Sequence, residues 1–217
     1  MLKADLHIHT RYSMDCDMPL EEIIARVKKR GLSCIAIADH GTIEGALAMQ
    51  KIAPFKVIIA EEVLTPYGEI MGVFLKEGIP MGTSVPETIA RIREQHAIAL
   101  IPHPFDRFRP SALDREVLKE LADKGQLDVI EAFNARAPLY RSMVNARAFA
   151  RKHNLPMSAG SDAHTPQEIG NAYVEMPDFN NRDEFLKALA QGRIVGHRTN
   201  PLAHVNSFCA RLRSKLR

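Results

Sequence analysis

Runs of apolar, β-favouring residues alternate with amphipathic stretches along nearly the whole chain, and few architectures accommodate that order. The strand candidates are Lys3 to His9, Cys34 to Ala38, Lys56 to Leu64, Ile70 to Leu75, Ile98 to Pro102, Val129 to Phe133, Met157 to Ala159 and Ala172 to Met176. Between them, Pro19 to Arg30, Ile43 to Ile52, Pro86 to His96, Ala112 to Lys124, Leu139 to His153 and Arg182 to Gln191 carry helical spacing, with Pro19 and Pro86 suited to a first turn. Repeated βα units imply a parallel sheet. One insertion breaks the rhythm: in VLTPYGEIMGVFL, Pro66-Tyr67-Gly68 separates two strand-like runs and reads as a hairpin. The chain has no GxGxxG or GxxxxGK[ST] phosphate loop, so an α/β fold closed into a distorted barrel is expected rather than a dinucleotide-binding sheet.

Bulk properties narrow the setting. With 217 residues, 46% hydrophobic and 25% charged, one soluble domain spanning residues 1–217 is expected. Net charge is only +3, and Arg211, Arg213, Lys215 and Arg217 supply much of the excess. That tail reads as a helix end favoured by its dipole, not as a clamp on a polyanion. Cys16, Cys34 and Cys209 have neither paired nor metal-finger spacing and read as reduced thiols. The first residues lack the order of a secretion signal and no apolar run approaches a membrane span, so a cytoplasmic protein without membrane contact is expected.

The histidines point to chemistry. His7 and His9 are separated by one residue on the first predicted strand, so they project together while Leu6 and Ile8 go the other way. His40, His103 and His164 also sit at the C-terminal ends of predicted strands, where a βα barrel gathers its active-site loops. Acidic residues accompany them: Asp15, Asp39, Glu61 with Glu62, and Asp162, spaced from His164 as His7 is from His9. One histidine at a strand end is usually just a satisfied polar side chain. Five at equivalent ends, each near a carboxylate, are more simply explained as ligands of Zn, Mn or Fe. His96, His153 and His204 lie on or near helices, where surface or capping roles are expected. Neutral imidazoles with about three carboxylates carry a charge of about −3, so two or three divalent ions would leave a net positive pocket that attracts an anion. Closely spaced metals lower the pKa of a bridging water toward ~7 and clamp an in-line displacement at phosphorus, which makes phosphate ester hydrolysis by a metal-bridging hydroxide the expected reaction.

DLHIHT at 5–10, ADHGT at 38–42, the acidic strand end IIAEEV, IPHP at 101–104 and GSDAH at 160–164 together resemble the polymerase and histidinol phosphatase (PHP) family, in motif order over about residues 4–200. The resemblance implies a distorted (β/α)7, TIM-like barrel with a trinuclear metal site and activity on phosphate esters. Carried over by position, it makes His7, His9, Glu62 and Asp162 ligands of a first metal, with Glu62 bridging to a second held also by His103. Asp15, His40 and His164 would hold a third. Glu62 is preferred to Glu61 because it stands three residues before Thr65; Asp39 is expected to orient a ligand. Met14 intervenes in YSMD, which makes Asp17 the fallback for Asp15. GEIMG stands where relatives place another histidine, so Glu69 is the candidate replacement.

A phosphate also needs donors, and guanidinium groups suit it. PFDRFR offers Arg107 and Arg109; EAFNAR offers Arg136, preferred because it follows a strand directly. Asp162, beside its ligand role, and His197 in VGHR, as a proton donor at the pocket rim, are the candidates for the catalytic step. Ser13 and Ser161 lie near the ligands, but a serine nucleophile needs a free histidine base, and the nearby histidines are committed. The expected substrate is a small-molecule phosphomonoester or phosphodiester. An exonuclease on short oligonucleotides ranks lower, because such a groove wants aromatic residues and the chain has no tryptophan and four tyrosines. A noncatalytic barrel module would be expected to lose ligands, which this chain keeps. An amidohydrolase would want a bridging lysine, which IALIPHP and VIEAFN lack.

Overall fold

The computed structural model describes residues 1–200 and shows a nine-stranded sheet with six helices. The strands are β1 (Leu2–Ile8), β2 (Cys34–His40), β3 (Lys56–Thr65), β4 (Gly68–Val73), β5 (Ile98–Ile101), β6 (Val129–Asn134), β7 (Met157–Gly160), β8 (Ala172–Met176) and β9 (Arg193–Gly196). The helices are α1 (Leu20–Arg30), α2 (Glu44–Ile52), α3 (Val85–Glu94), α4 (Arg115–Asp123), α5 (Tyr140–Lys152) and α6 (Arg182–Ala190). Tail residues Arg211, Arg213, Lys215 and Arg217, with His204 and Cys209, lie outside the described residues. No helix among the described residues is long and apolar enough to cross a membrane.

Sheet order is β7-β6-β5-β4-β3-β2-β1-β8-β9. The sheet curls until β7 meets β1: Ile8 bridges to Ala163, His9 N donates to Ala163 O at 3.0 Å, and Asp162 N donates to His7 O at 2.8 Å. The result is a nearly closed, distorted barrel. The expected parallel sheet is mixed. β1, β2 and β3 run parallel, as do β5, β6 and β7, but the Pro66-Tyr67 turn makes β3 and β4 a hairpin, and β4 then pairs antiparallel with β5. β8 is also antiparallel to β1, because a loop rather than a helix connects β7 to β8 and reverses the chain.

Alternation along the strands sorts the core into layers. Ala4, Ala36, Ala38, Ala60, Met71, Leu100, Val129, Ala159 and Val174 fill the interior, with Phe179 and Phe185 packed against them. The alternate residues Ile35 and Ile37 face Ile23 and Val27 of α1 and Met49 of α2, while Ala99, Ile101 and Ile130 face α3, α4 and α5. Helix limits follow local chemistry. Pro19 stands just before α1 instead of within it. α4 starts at Arg115, later than the periodicity suggests, because Asp114 accepts the Glu116 and Val117 N–H groups as an N-cap. His96 is exposed in the left-handed region after α3, and the His153 ring packs 4.4 Å from that of Phe149. Cys16 and Cys34 are buried free thiols, and burial pushes both up, Cys34 to about 12.

Candidate metal centre

The chain order delivers one polar residue after another to the same end of the barrel. Ile8 packs outward with α1 residues, leaving His7 and His9 inward with their Nε2 atoms 3.1 Å apart. The strand register slips between Asp5 and Ile8, so Leu6 joins the interior cluster instead of lying on the Ile8 side, a one-residue correction to simple alternation. His40 ends β2 opposite Glu62 of β3, and the hairpin brings Glu69 back from β4. His103 follows β5, and Asp162 and His164 follow β7. His103 (φ 33°) and Asp162 (φ 53°) adopt left-handed backbone that side-chain-bearing residues avoid. Such strain persists where surrounding contacts impose it, commonly at functional sites.

Distances join these residues into one cluster. Glu62 Oε2 lies 3.3 Å from both His7 Nε2 and His9 Nε2, and Asp162 Oδ1 lies 3.4 Å from His9 Nε2. Glu62 Oε1 is 2.9 Å from His103 Nε2, which is also 3.3 Å from Glu69 Oε2. His40 Nδ1 is 3.3 Å from Glu69 Oε1, while its Nε2 is 3.4 Å from Asp15 Oδ2. His164 Nε2 completes this side at 3.1 Å from Asp15 Oδ2.

Among the described residues, three overlapping groups have candidate ligand atoms within 4.8 Å of one another: His9, Asp15, His40 and His164; His7, His9 and Asp162; and His40, Glu62 and Glu69. Such sets could hold divalent metal ions. The grouping differs from the expected one in that His9 serves two groups, and His40 stands with Glu62 and Glu69 where His103 was expected.

The donors fit cations. Glu62 Oε2, Glu69 Oε2 and Asp162 Oδ1 are buried and accept no hydrogen bond from the described residues, which is costly unless a positive charge faces them. Burial alone would raise the carboxyls, yet His7 and His40 hold Glu62, and Arg109 and His7 hold Asp162, well below the usual carboxylate range. Burial would lower His9, but the Asp162 and Glu62 carboxylates carry it up to about 10. His164 goes the other way, to about 3, because burial and the positive charges of His9 and Arg136 all oppose its protonation. A neutral imidazole is the ligating form.

The remaining expectations divide. Asp15 is buried in the cluster, whereas Asp17 is exposed. Glu61 points away and accepts Ile79 N at 2.8 Å. Asp39 accepts Thr10 N and Oγ1 at 2.6 and 2.7 Å, fastening the loop after β1, and lies within reach of the charges of His9 and His40. A β-carbon at Gly45 would stand 2.0 Å from Asp39 Oδ2, so that clasp requires glycine.

The arginines turn in different directions. Arg136, the preferred one, is buried with its guanidinium near Glu168 and the Asp162 carbonyl, whereas Arg109 reaches the Asp162 carboxylate. Distance from a strand end did not reveal which way a side chain turns. Arg107 and His197 are exposed.

Sequence reasoning missed a supporting layer. Glu131 contacts His7, the His103 backbone and Asn134. Asp5 accepts Ser161 N and Gly170 N, both at 2.9 Å, and Glu168 accepts His164 N at 3.0 Å. Ser13 Oγ donates to Asp15 Oδ1 at 2.9 Å. A carboxylate inside an otherwise apolar strand, as in VIEAFN, was the signal available for Glu131.

The family model described as PHP domain matches residues 5–152, and that described as PHP-associated matches residues 144–194. An uncharacterized protein of Methanocaldococcus jannaschii is 34% identical over 197 residues, covering 87% of this chain and 79% of its own. A second from that organism is 39% identical over 150 residues, covering 62% of this chain and 82% of its own. Among solved structures, a two-domain protein of Bacteroides vulgatus containing a predicted PHP-like metal-dependent phosphoesterase aligns with TM-score 0.73 at 18% identity, over 96% of this chain and 69% of that one. An amidohydrolase of Chromobacterium violaceum, solved with sulfate and no metal, aligns with TM-score 0.64 at 17% identity, over 77% of this chain and 89% of that one. Both structural likenesses concern the fold.

Proposed function

The chain belongs to the PHP domain family, and from that premise we propose that it is a metal-dependent phosphoric ester hydrolase acting on a small-molecule phosphate ester. The observation that carries this reading is the convergence of His7 and His9 Nε2, 3.1 Å apart, on buried Glu62 and Asp162 oxygens that accept no hydrogen bond. Two or three divalent ions, of Zn, Mn or Fe, would be held by His7, His9, Asp15, His40, Glu62, Glu69, His103, Asp162 and His164. When bound, they supply Lewis acidity, lowering the pKa of water toward ~7 and neutralising charge on phosphorus-bound oxygens.

The chain's own residues do the rest. His164, neutral, and Asp15, ionised, are already in ligating form. Arg109, paired with Asp162 at the edge of the cluster, places a guanidinium where it would add positive charge to a phosphate bound beside it. Tyr12, Met14 and Phe108 are 41, 47 and 69% exposed on the loops after β1 and β5, offering apolar surface to the organic part of the ester. Tyr12 and Phe108 also favour a second reading, a short oligonucleotide whose bases stack there. Buried reduced Cys16 and Cys34 suit a cytoplasmic setting.

A substrate panel tests this assignment. Purified protein with Mn or Zn is expected to turn over phosphomonoesters or small phosphodiesters faster than oligonucleotides, and to leave amides intact. Turnover of amides alone, or none of any phosphate ester, would end the phosphoesterase reading.

A further inference from the structure

Glu131 belongs to none of the three groups among the described residues that could hold a metal, yet it is 3% exposed and touches His7, a member of one group, and His103, which contacts Glu62 of another. Its Oε1 accepts His7 Nδ1 at 3.0 Å. Its Oε2 accepts the backbone N–H of His103 at 2.6 Å and Asn134 Nδ2 at 2.9 Å, and that same Nδ2 lies 3.1 Å from Asp162 Oδ2. One carboxylate on β6 therefore ties β1 to the residue after β5. The His7 contact fixes a proton on Nδ1 and turns Nε2 toward His9 and Glu62. The His103 contact holds a backbone at φ 33°, which unsupported L-residues avoid, and thereby aims Nε2 at Glu62.

We propose that Glu131 is a positioning residue that sets the ligating orientation of His7 and His103 together, so that one carboxylate supports both the His7–His9–Asp162 group and the His103 contact with Glu62, while it touches none of Asp15, His40 and His164. The proposal rests on the metal-dependent reading above. It requires a carboxylate because both oxygens are used by donors. A glutamine presents a single acceptor oxygen, and its amide nitrogen faces an N–H it cannot accept. Glu131→Gln must therefore either orphan His103 N–H or present its NH2 to His7 Nδ1, which shifts the imidazole proton to Nε2 and leaves that nitrogen unable to ligate.

The test combines two readouts. In nitrogen-15 NMR of the wild-type chain, metal-free and zinc-loaded, the His7 Nδ1 proton is expected as a downfield, exchange-protected resonance, which Glu131→Gln loses or shifts. In Co(II) titrations followed by visible absorption and calorimetry, Glu131→Gln is expected to weaken the positions served by His7 and His103 by about 10- to 100-fold. The remaining position keeps wild-type affinity and is identified by its loss on adding Asp15→Asn. A folded Glu131→Gln that titrates like wild type overturns the proposal. So does a wild-type His7 Nδ1 proton that exchanges freely, a measurement that needs no variant. Wild-type protein that takes up no divalent ion overturns the metal reading and this proposal with it, whereas normal wild-type uptake with an unaffected variant overturns this proposal alone.

Discussion

His9→Ala lowers kcat/KM toward a phosphate ester by about 10³-fold or more while the far-UV circular dichroism stays that of the wild type. The expected loss is large because His9 serves two groups: its Nε2 lies 3.3 Å from Glu62 and 3.4 Å from Asp162, and its ring lies 4.2 Å from that of His164 and 4.8 Å from that of His40. Alanine removes a ligand and leaves the carboxylates facing each other with less positive charge between them. The fold is expected to persist because β1 is held by backbone pairing to β2 and β8, which the ring does not touch. Steady-state kinetics on the folded variant decide the matter. Full activity would remove His9 from the site.

Metal uptake raises Tm and releases protons. Each ion bound at about 100 times its Kd stabilises the native state by about 2.7 kcal/mol, and in a chain of this size 1 kcal/mol corresponds to about 2–4 °C, so each saturated position contributes about 5–10 °C. In the metal-free chain His9 is raised from 6.5 to about 10, and His7 is raised as well, burial being outweighed by neighbouring carboxylates. The sign follows. The stability that protonated His9 gains from its carboxylates is complete below 6.5 and is lost as pH rises through about 10. A metal takes the place of that proton, so binding at pH 8 expels protons and apparent affinity increases with pH up to about 10. Calorimetry in buffers of different ionisation heat measures the release, and differential scanning measures Tm before and after chelation. An unchanged Tm with no proton release would contradict both expectations.

Much of this fold is legible in the sequence because its period-2 and period-3.6 patterns are bounded by strong local signals. Pro66-Tyr67-Gly68 marks the hairpin, and the histidines mark strand ends. What stays hidden is set by tertiary direction. The loop between β7 and β8 reverses the chain through left-handed backbone at Asp162 and Gly170, which no spacing rule announces. The slip between Asp5 and Ile8 moves Leu6 inward, although the LHIH pattern alone assigns it outward. Arg109 and Arg136 differ in their distance from a strand end, which does not encode side-chain direction; the packed loops decide that one reaches the Asp162 carboxylate while the other lies against Glu168. Glu131 and Asp5 were overlooked because supporting carboxylates carry no spacing rule; their role follows from whose N–H they accept. The ligand candidates themselves were readable, since strand-end histidines beside carboxylates have few other uses.

On the proposed function, residues from β1 to the loop after β7 would share cations at one barrel mouth. Anomalous diffraction from crystals soaked in Zn or Mn measures this most directly. Peaks are expected among His7, His9, Asp15, His40, Glu62, Glu69, His103, Asp162 and His164. Peaks confined to other surfaces, or none at saturating metal, would contradict it.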